Sequence, residues 1–279
     1  MPVPIAATVA ELRRALHPWR GGPGVALVPT MGALHAGHLA LVRAAQDRTP
    51  HVAVSIFVNP AQFAPGEDFG AYPRTFDADR EKLAAARAAL IFAPKAEEMY
   101  PQGFATTVTV GGPSAGLETD FRPHFFAGVA TVVSKLLIAA LPDWAMFGEK
   151  DYQQLLVVRR LVADLGLPTE IVAVPVMREA DGLAMSSRNA YLTPAERAVA
   201  GRLNLVMRET IVRLRAGEDI AGREAALAAA ILKAGFDSVD YAVVRDAETL
   251  APVGDLARPA RLLVAARIGR TRLIDNMAI

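Results

Sequence analysis

The sequence predicts an α/β fold, a doubly wound parallel sheet followed by a smaller C-terminal α+β domain. Three observations lead there. Short continuous apolar runs alternate with helix-length segments up to about residue 176, the pattern of βαβ units whose strands are covered on both faces. Beyond that point two helical segments precede three strand-like runs, a grouping typical of antiparallel sheets packed on helices. Composition is globular, with 52% hydrophobic and 21% charged residues in 279, enough to build a substantial core.

Each element has its own signal. Thr8 and Glu11 in "TVAELRRALHPW" form a capping-box pattern that opens an amphipathic helix, and "GGPG" at 21–24 ends it. "VALVPT" (25–30) reads as a strand buried on both faces, followed by helix-like "HLALVRAAQDR". "HVAVSIFVN" (51–59) is a second strand, "ADREKLAAARAA" a helix and "LIFAP" (90–94) a third strand. A helix over 128–141, a strand over 144–148, a helix closed by Gly166 and a strand over 169–177 complete the Rossmann-like series. Thr193, Pro194 and Glu196 then start a long helix running to about residue 217, and a second covers about 222–234. "SVDYAVVRD", "ARLLVAARI" and "TRLIDNMAI" are the final strands. The domains are placed at 1–176 and 177–279, the second expected to act as a lid. Internal repeats and low-complexity tracts are absent.

Composition also excludes. The formal net charge is +1, so there is no basic field to favour nucleic acid. With no cysteine in the sequence, disulfides, thiolate metal sites and cysteine nucleophiles are ruled out together. The N-terminal stretch has no basic segment leading an apolar core, and the most apolar run, "VATVVSKLLIAALPDW", is interrupted by Ser134 and Lys135. That run falls short of the roughly 20 apolar residues a spanning helix needs, so neither secretion nor a membrane is expected, and the location is cytoplasmic.

Neither a P-loop nor a G-x-G-x-x-G fingerprint occurs, so a nucleotide site must be built differently. Two of the five histidines stand in His35-Ala36-Gly37-His38, between a strand's carboxyl end and a helix's amino end. Ligands of open α/β sheets bind at that edge, and free helical N–H groups attract anions there. Gly32 and Gly37 leave room for close approach, and the imidazoles are placed to donate to a phosphate gathering charge. A surface turn with two solvated histidines fits the same four residues; a metal pair lacks a third ligand nearby. Lys150, one of only five lysines, is a compact cation suited to phosphate oxygens, or an ordinary surface lysine. Ser186, Ser187 and Arg188 offer two hydroxyls and a planar guanidinium to a pyrophosphate, or a helix cap.

H-x-G-H after the first strand resembles the nucleotidylyltransferase superfamily signature. Taken with "VPTMGALHAGH", "FVNPAQF", "YPRT", "FGEKDYQQL" and "DGLAMSSRNAYL" in this order, the whole chain resembles the pantothenate synthetase (pantoate–β-alanine ligase) family. The resemblance implies that ATP and Mg2+ are used to join pantoate to β-alanine through a pantoyl-adenylate, in a homodimer. It implies His35, His38, Lys150 and Arg188 as catalytic residues. Met31, Gly32, Ala33, Leu34, His35, Ala36, Gly37 and His38 would bind ATP, with Gly148, Glu149, Lys150, Asp151, Met177, Met185, Ser186, Ser187 and Arg188. Gln62 and Gln154 are the expected amides for pantoate and β-alanine, with Pro29, Met31 and Asn59 lining the same pocket; Gln153 points about 100° away from Gln154 on a helix. Asp77 and Asp79 are the candidates to reach magnesium through water, although an acidic helix start explains them equally well.

One stretch departs from the family pattern. Where relatives commonly read R-P-G-H-F, this chain has Arg122-Pro123-His124-Phe125-Phe126, so no role is carried onto the missing histidine. An adenylyl- or cytidylyltransferase that stops after nucleotide transfer is the nearest alternative enzyme, opposed by Gln62, Gln154 and the S-S-R-N loop. A non-catalytic nucleotide sensor is opposed by the intact His35, His38, Lys150 and Arg188. A tRNA synthetase fragment would need a basic anticodon-binding domain.

Overall fold

Strand and helix signals resolve into two compact units in the computed structural model, which describes residues 3–63, 67 and 69–279. One unit comprises residues 1–149 and 153–175, the other residues 150–152 and 176–279.

In the first unit six strands pair in parallel: β1 (Ile5–Ala6), β2 (Ala26–Thr30), β3 (Val52–Ile56), β4 (Leu90–Phe92), β5 (Trp144–Gly148) and β6 (Glu170–Val174), in the order β1-β4-β3-β2-β5-β6. Their connections carry α1 (Val9–Leu16), α2 (Ala36–Gln46), α3 (Phe76–Ala85), α4 (Ala96–Met99), α5 (Glu118–Phe121), α6 (Phe125–Ala140) and α7 (Tyr152–Asp164). Val28, Val54, Ile91 and Met146 from four adjacent strands form one buried cluster with Leu41, Val42 and Leu83 from α2 and α3. Continuous apolar strands are thus buried from both faces, as their composition requires. β1 has only two residues, too few for any periodicity to register, and its position is fixed by pairing with β4. α6 begins three residues earlier than its apolar run suggests, because Phe125 and Phe126 join it at the capping turn.

The sheet order changes direction at β2, which pairs with β3 on one side and β5 on the other. The crevice at such a switch point, outside the carboxyl ends of the strands, is where open α/β sheets bind ligands. The segments leaving β2 and β5 there begin at Met31 and Glu149.

The second unit packs α8 (Pro194–Ala200), α9 (Arg202–Arg215) and α10 (Ile220–Lys233) with an antiparallel sheet of β7 (Ser238–Asp246), β8 (Ala260–Ile268) and β9 (Thr271–Ala278). Leu203, Met207, Leu227, Ile231, Leu262 and Val264 lie at its core. The single helix expected over 193–217 is divided at Gly201, where a β-carbon would run into the Asp181 carboxylate. Among the described residues no helix is long and apolar enough to cross a membrane.

Candidate active site

Beyond β2 the backbone turns through Gly32 at φ +87 and Ala33 at φ +51. A β-carbon at Gly32 would sit 3.1 Å from Asp79 Oδ2 and 3.2 Å from Ile56 Cγ2, so glycine answers both the left-handed backbone and the crowding. Asp79 is wholly buried. Its Oδ2 accepts the Ala33 N–H and its Oδ1 the Leu34 N–H, both at 2.8 Å, while Thr75 Oγ1 donates to Oδ2 at 3.2 Å. One turn along α3, Lys82 Nζ donates to the Leu34 carbonyl at 2.7 Å. Residues three apart share a helix face, so α3 grips the turn by its donors and its acceptor at once.

This corrects the expectation for Asp79. Both oxygens are engaged with protein donors away from water, and the carboxylate shapes the turn that follows β2. Asp77 is exposed in the first turn of α3, where a carboxylate favours the helix amino end. Among the described residues no group of three histidines and acids is arranged to hold a metal.

His35 is the N-cap of α2. Its Nδ1 accepts the Gly37 N–H at 3.1 Å, and its own backbone N–H donates to His38 Nδ1 at 3.3 Å. The H-x-G-H motif is therefore a capping box built from imidazoles, with ring centroids 4.1 Å apart. An Nδ1 that accepts a hydrogen bond holds no proton, so each neutral ring carries its N–H at Nε2. Two imidazole donors thus stand at a helix amino end, where the dipole favours an anion.

Gln62 follows β3 in a short turn packed on α6. Its Oε1 accepts from Asn59 Nδ2 at 3.1 Å and its Nε2 donates to Met31 Sδ at 3.0 Å. Asn59 is buried, and it also donates to the Gly128 carbonyl and accepts the Tyr100 hydroxyl at 2.6 Å and the Ala61 N–H. Every lone pair and proton of that amide is occupied, so Asn59 holds Gln62 in place. Burial pushes the Tyr100 phenol up to about 12, which keeps it a donor. Gly128 is required: a β-carbon would collide with the Ala61 carbonyl and lie 2.7 Å from Gln62 Cα.

On α7 the two glutamines separate cleanly. Gln153 is buried, donating to the Pro113 and Gly116 carbonyls at 3.1 Å and accepting the Glu118 N–H at 3.1 Å. Gln154 is half-buried, and its amide makes no hydrogen bond among the described residues. Pro29, at the end of β2, and Met31 are half-buried.

The second unit holds Lys150 and Asp151, whose side chains pair at 3.7 Å. It also holds Met177, Met185 and Ser186–Arg188. The stretch 177–185 is a small hairpin, with the Met185 N–H donating to the Met177 carbonyl at 2.9 Å and Gly182 at φ +90. Ser186 Oγ then accepts the Arg188 N–H at 3.2 Å and opens a 3-10 turn over Ser187–Tyr191. Pro29, Met31–His38, Asn59, Gln62, Gly148, Glu149 and Gln154 all belong to the first unit.

The sequence matches the profile of the family described as Pantoate-beta-alanine ligase over residues 4–278. The chain belongs to the pantoate–β-alanine ligase family. Curated relatives agree: "Pantothenate synthetase" of Rhodopseudomonas palustris (strain HaA2) is 57% identical, covering 100% of both chains. The Nitrobacter hamburgensis protein of the same name is 58% identical, over 99% of this chain and 98% of its own. Among solved structures, pantothenate synthetase from Thermus thermophilus superposes with a TM-score of 0.93 at 49% identity, covering 99% of each chain. The pantoate-beta-alanine ligase of Francisella tularensis, complexed with "Beta-gamma ATP and Beta-alanine", gives 0.84 at 31% identity, over 99% and 97% of the two chains.

Within this ligase family the altered R-P-H-F-F stretch has a physical account. Arg122 forms a bidentate pair with Glu67 at 2.7 and 2.8 Å and donates to the Gln62 carbonyl at 3.3 Å. Phe125 lies under that guanidinium with 4.0 Å between Arg122 Cζ and the ring centroid. A cation–π contact therefore steadies the arginine that steadies Gln62. Asp79, Lys82, Tyr100 and Arg122 all support the site, and none was singled out for that work from sequence. The sequence signal available was modest: an aspartate and a lysine three apart on the helix that follows "YPRT".

Proposed function

We propose that this ligase-family chain condenses pantoate with β-alanine, converting ATP to AMP and pyrophosphate by way of a pantoyl-adenylate. The observation that carries this reading is the imidazole capping box at the β2 edge, which commits both Nδ1 atoms to the backbone and so leaves the proton of each neutral ring on Nε2. A pantoate carboxylate oxygen attacks the α-phosphorus and the bond to pyrophosphate breaks. The amine of β-alanine then attacks the acyl carbonyl, loses a proton and expels AMP. No enzyme nucleophile is needed, in keeping with a chain that has no cysteine; positioning and charge stabilisation supply the catalysis.

In this reading His38, assisted by His35, donates Nε2–H to the phosphate as its charge grows. Gln62, held by Asn59 at its oxygen and by Met31 at its nitrogen, offers its remaining N–H to pantoate, and Gln154 supplies a second amide. Lys150, Ser186, Ser187 and Arg188 hold the triphosphate, with Met31–Ala36, Gly148, Glu149, Asp151, Met177 and Met185 around the nucleotide. Among the described residues no cluster of carboxylates is offered to a divalent ion, so Mg2+ fits as part of the MgATP substrate, held mainly by phosphate oxygens and water. Family membership supports two further proposals, a homodimer and a cytoplasmic location.

The deciding experiment incubates the protein with ATP, Mg2+, pantoate and β-alanine, omitting each in turn. Pantothenate and AMP should appear only in the complete mixture, and pantoate-dependent exchange between ATP and pyrophosphate should proceed without β-alanine. Exchange that ignores pantoate would point to nucleotide transfer alone.

A further inference from the structure

One dipeptide on β9 ties together the two cation-bearing segments of the second unit. Asp275 is 3% exposed and accepts a bidentate pair from Arg178, Nη1 to Oδ2 at 2.7 Å and Nη2 to Oδ1 at 2.9 Å. The same guanidinium donates to the Gly182 carbonyl at 3.0 Å and the Asn276 carbonyl at 3.2 Å. It thereby stitches the 177–185 hairpin, which leads directly into Ser186–Arg188, onto β9. Asn276, also 3% exposed, donates its Nδ2–H to the Lys150 carbonyl at 2.9 Å. Two residues further on, the Tyr152 hydroxyl donates to the Ala247 carbonyl at 2.7 Å, and Arg261 lies 3.7 Å over the Tyr152 ring.

Burying an aspartate and an asparagine inside a strand that is otherwise largely apolar is costly unless they find partners; the Asp275 carboxylate and the Asn276 Nδ2–H find theirs. Neighbours on a strand project to opposite faces, so adjacent side chains can serve two separate segments. Here they do: Asp275 anchors the arginine of one loop and Asn276 the main chain of the other.

We propose that Asn276 is a positioning residue for ATP, acting through Lys150, and that Asp275 with Arg178 does the same for the Ser186–Arg188 turn. The Asn276 hydrogen bond fixes the peptide plane after Lys150 and so limits where its ammonium can reach. This inference rests on the reading of Lys150 and Arg188 as triphosphate-binding cations.

The test compares Asn276→Ala with its parent for ATP, in the parental and the Lys150→Ala backgrounds, by pantoate-dependent pyrophosphate exchange. Loss of a buried donor opposite a carbonyl predicts about a tenfold rise in the KM for ATP, with the KM for pantoate within about twofold. In the Lys150→Ala background the same substitution should change nothing further, since the group it positions is gone. Hydrogen exchange should quicken across residues 150–153 while β8 stays protected. An unchanged KM for ATP in a folded variant overturns the proposal, and so does an equal loss in both backgrounds. Should Asn276→Ala fail to fold, Asn276→Ser enters the same cycle with the same criteria. A parental protein that makes no pantothenate would refute the functional reading instead, which keeps the two failures distinct.

Discussion

At the scale of the residue, His35 and His38 each do two things with one ring. Nδ1 caps the backbone and the neutral ring keeps its proton on Nε2, so the structural and the chemical roles can be separated by substitution. Asparagine is among the better N-cap residues. His35→Asn should therefore leave the urea midpoint nearly unchanged while the adenylation rate falls. His38→Ala should lower adenylation by about 10²–10³-fold, the loss typical of one transition-state donor. Single-turnover formation of AMP or of the adenylate measures both, and a His38→Ala rate within about threefold of the parent contradicts the assignment. The histidine pair was legible in sequence because its position between a strand end and a helix start is local information. The tautomer was not legible, since it depends on which backbone N–H each Nδ1 meets.

At the scale of the element, α3 is the support of the turn that follows β2, and it shows where reading a sequence stops. Asp77 and Asp79 look alike in "FDADREKL": two acids in the first turn of a helix. Packing distinguishes them, since Asp79 is on the face that closes over residues 32–34 and Asp77 faces solvent. Asp79→Asn keeps the volume but replaces an anionic acceptor opposite two N–H groups with an amide. Hydrogen bonds to a buried charge are the stronger kind, so the substitution should cost about 2 kcal/mol of stability in urea unfolding. It should also slow adenylation without changing Mg2+ dependence, because the carboxylate is not offered to the metal. A shifted Mg2+ requirement with parental stability would restore the metal role. The major strands were legible from their apolar runs, whereas β1, the division at Gly201 and the early start of α6 depend on tertiary contacts and left no periodic trace.

At the scale of the whole molecule, the proposed groups divide by unit: the imidazole donors belong to the first, Lys150 and Arg188 to the second. Chain order hides part of this. Lys150 follows β5 by two residues, yet it groups with a strand 126 residues later through the Asn276 hydrogen bond, a relation no local pattern encodes. The division predicts two kinetic phenotypes. A cation that meets the triphosphate in the ground state contributes to affinity itself, and charge-assisted contacts are the strong ones. Lys150→Ala and Arg188→Ala should each weaken calorimetric ATP binding by roughly 10- to 100-fold. A donor whose partner gains charge only during reaction contributes little before it. His38→Ala should therefore bind ATP within about threefold of the parent while failing in turnover. Parental affinity in both cation variants would remove Lys150 and Arg188 from the nucleotide site. An affinity loss in His38→Ala as large as theirs would mean that its imidazole serves ground-state binding and not the transition state.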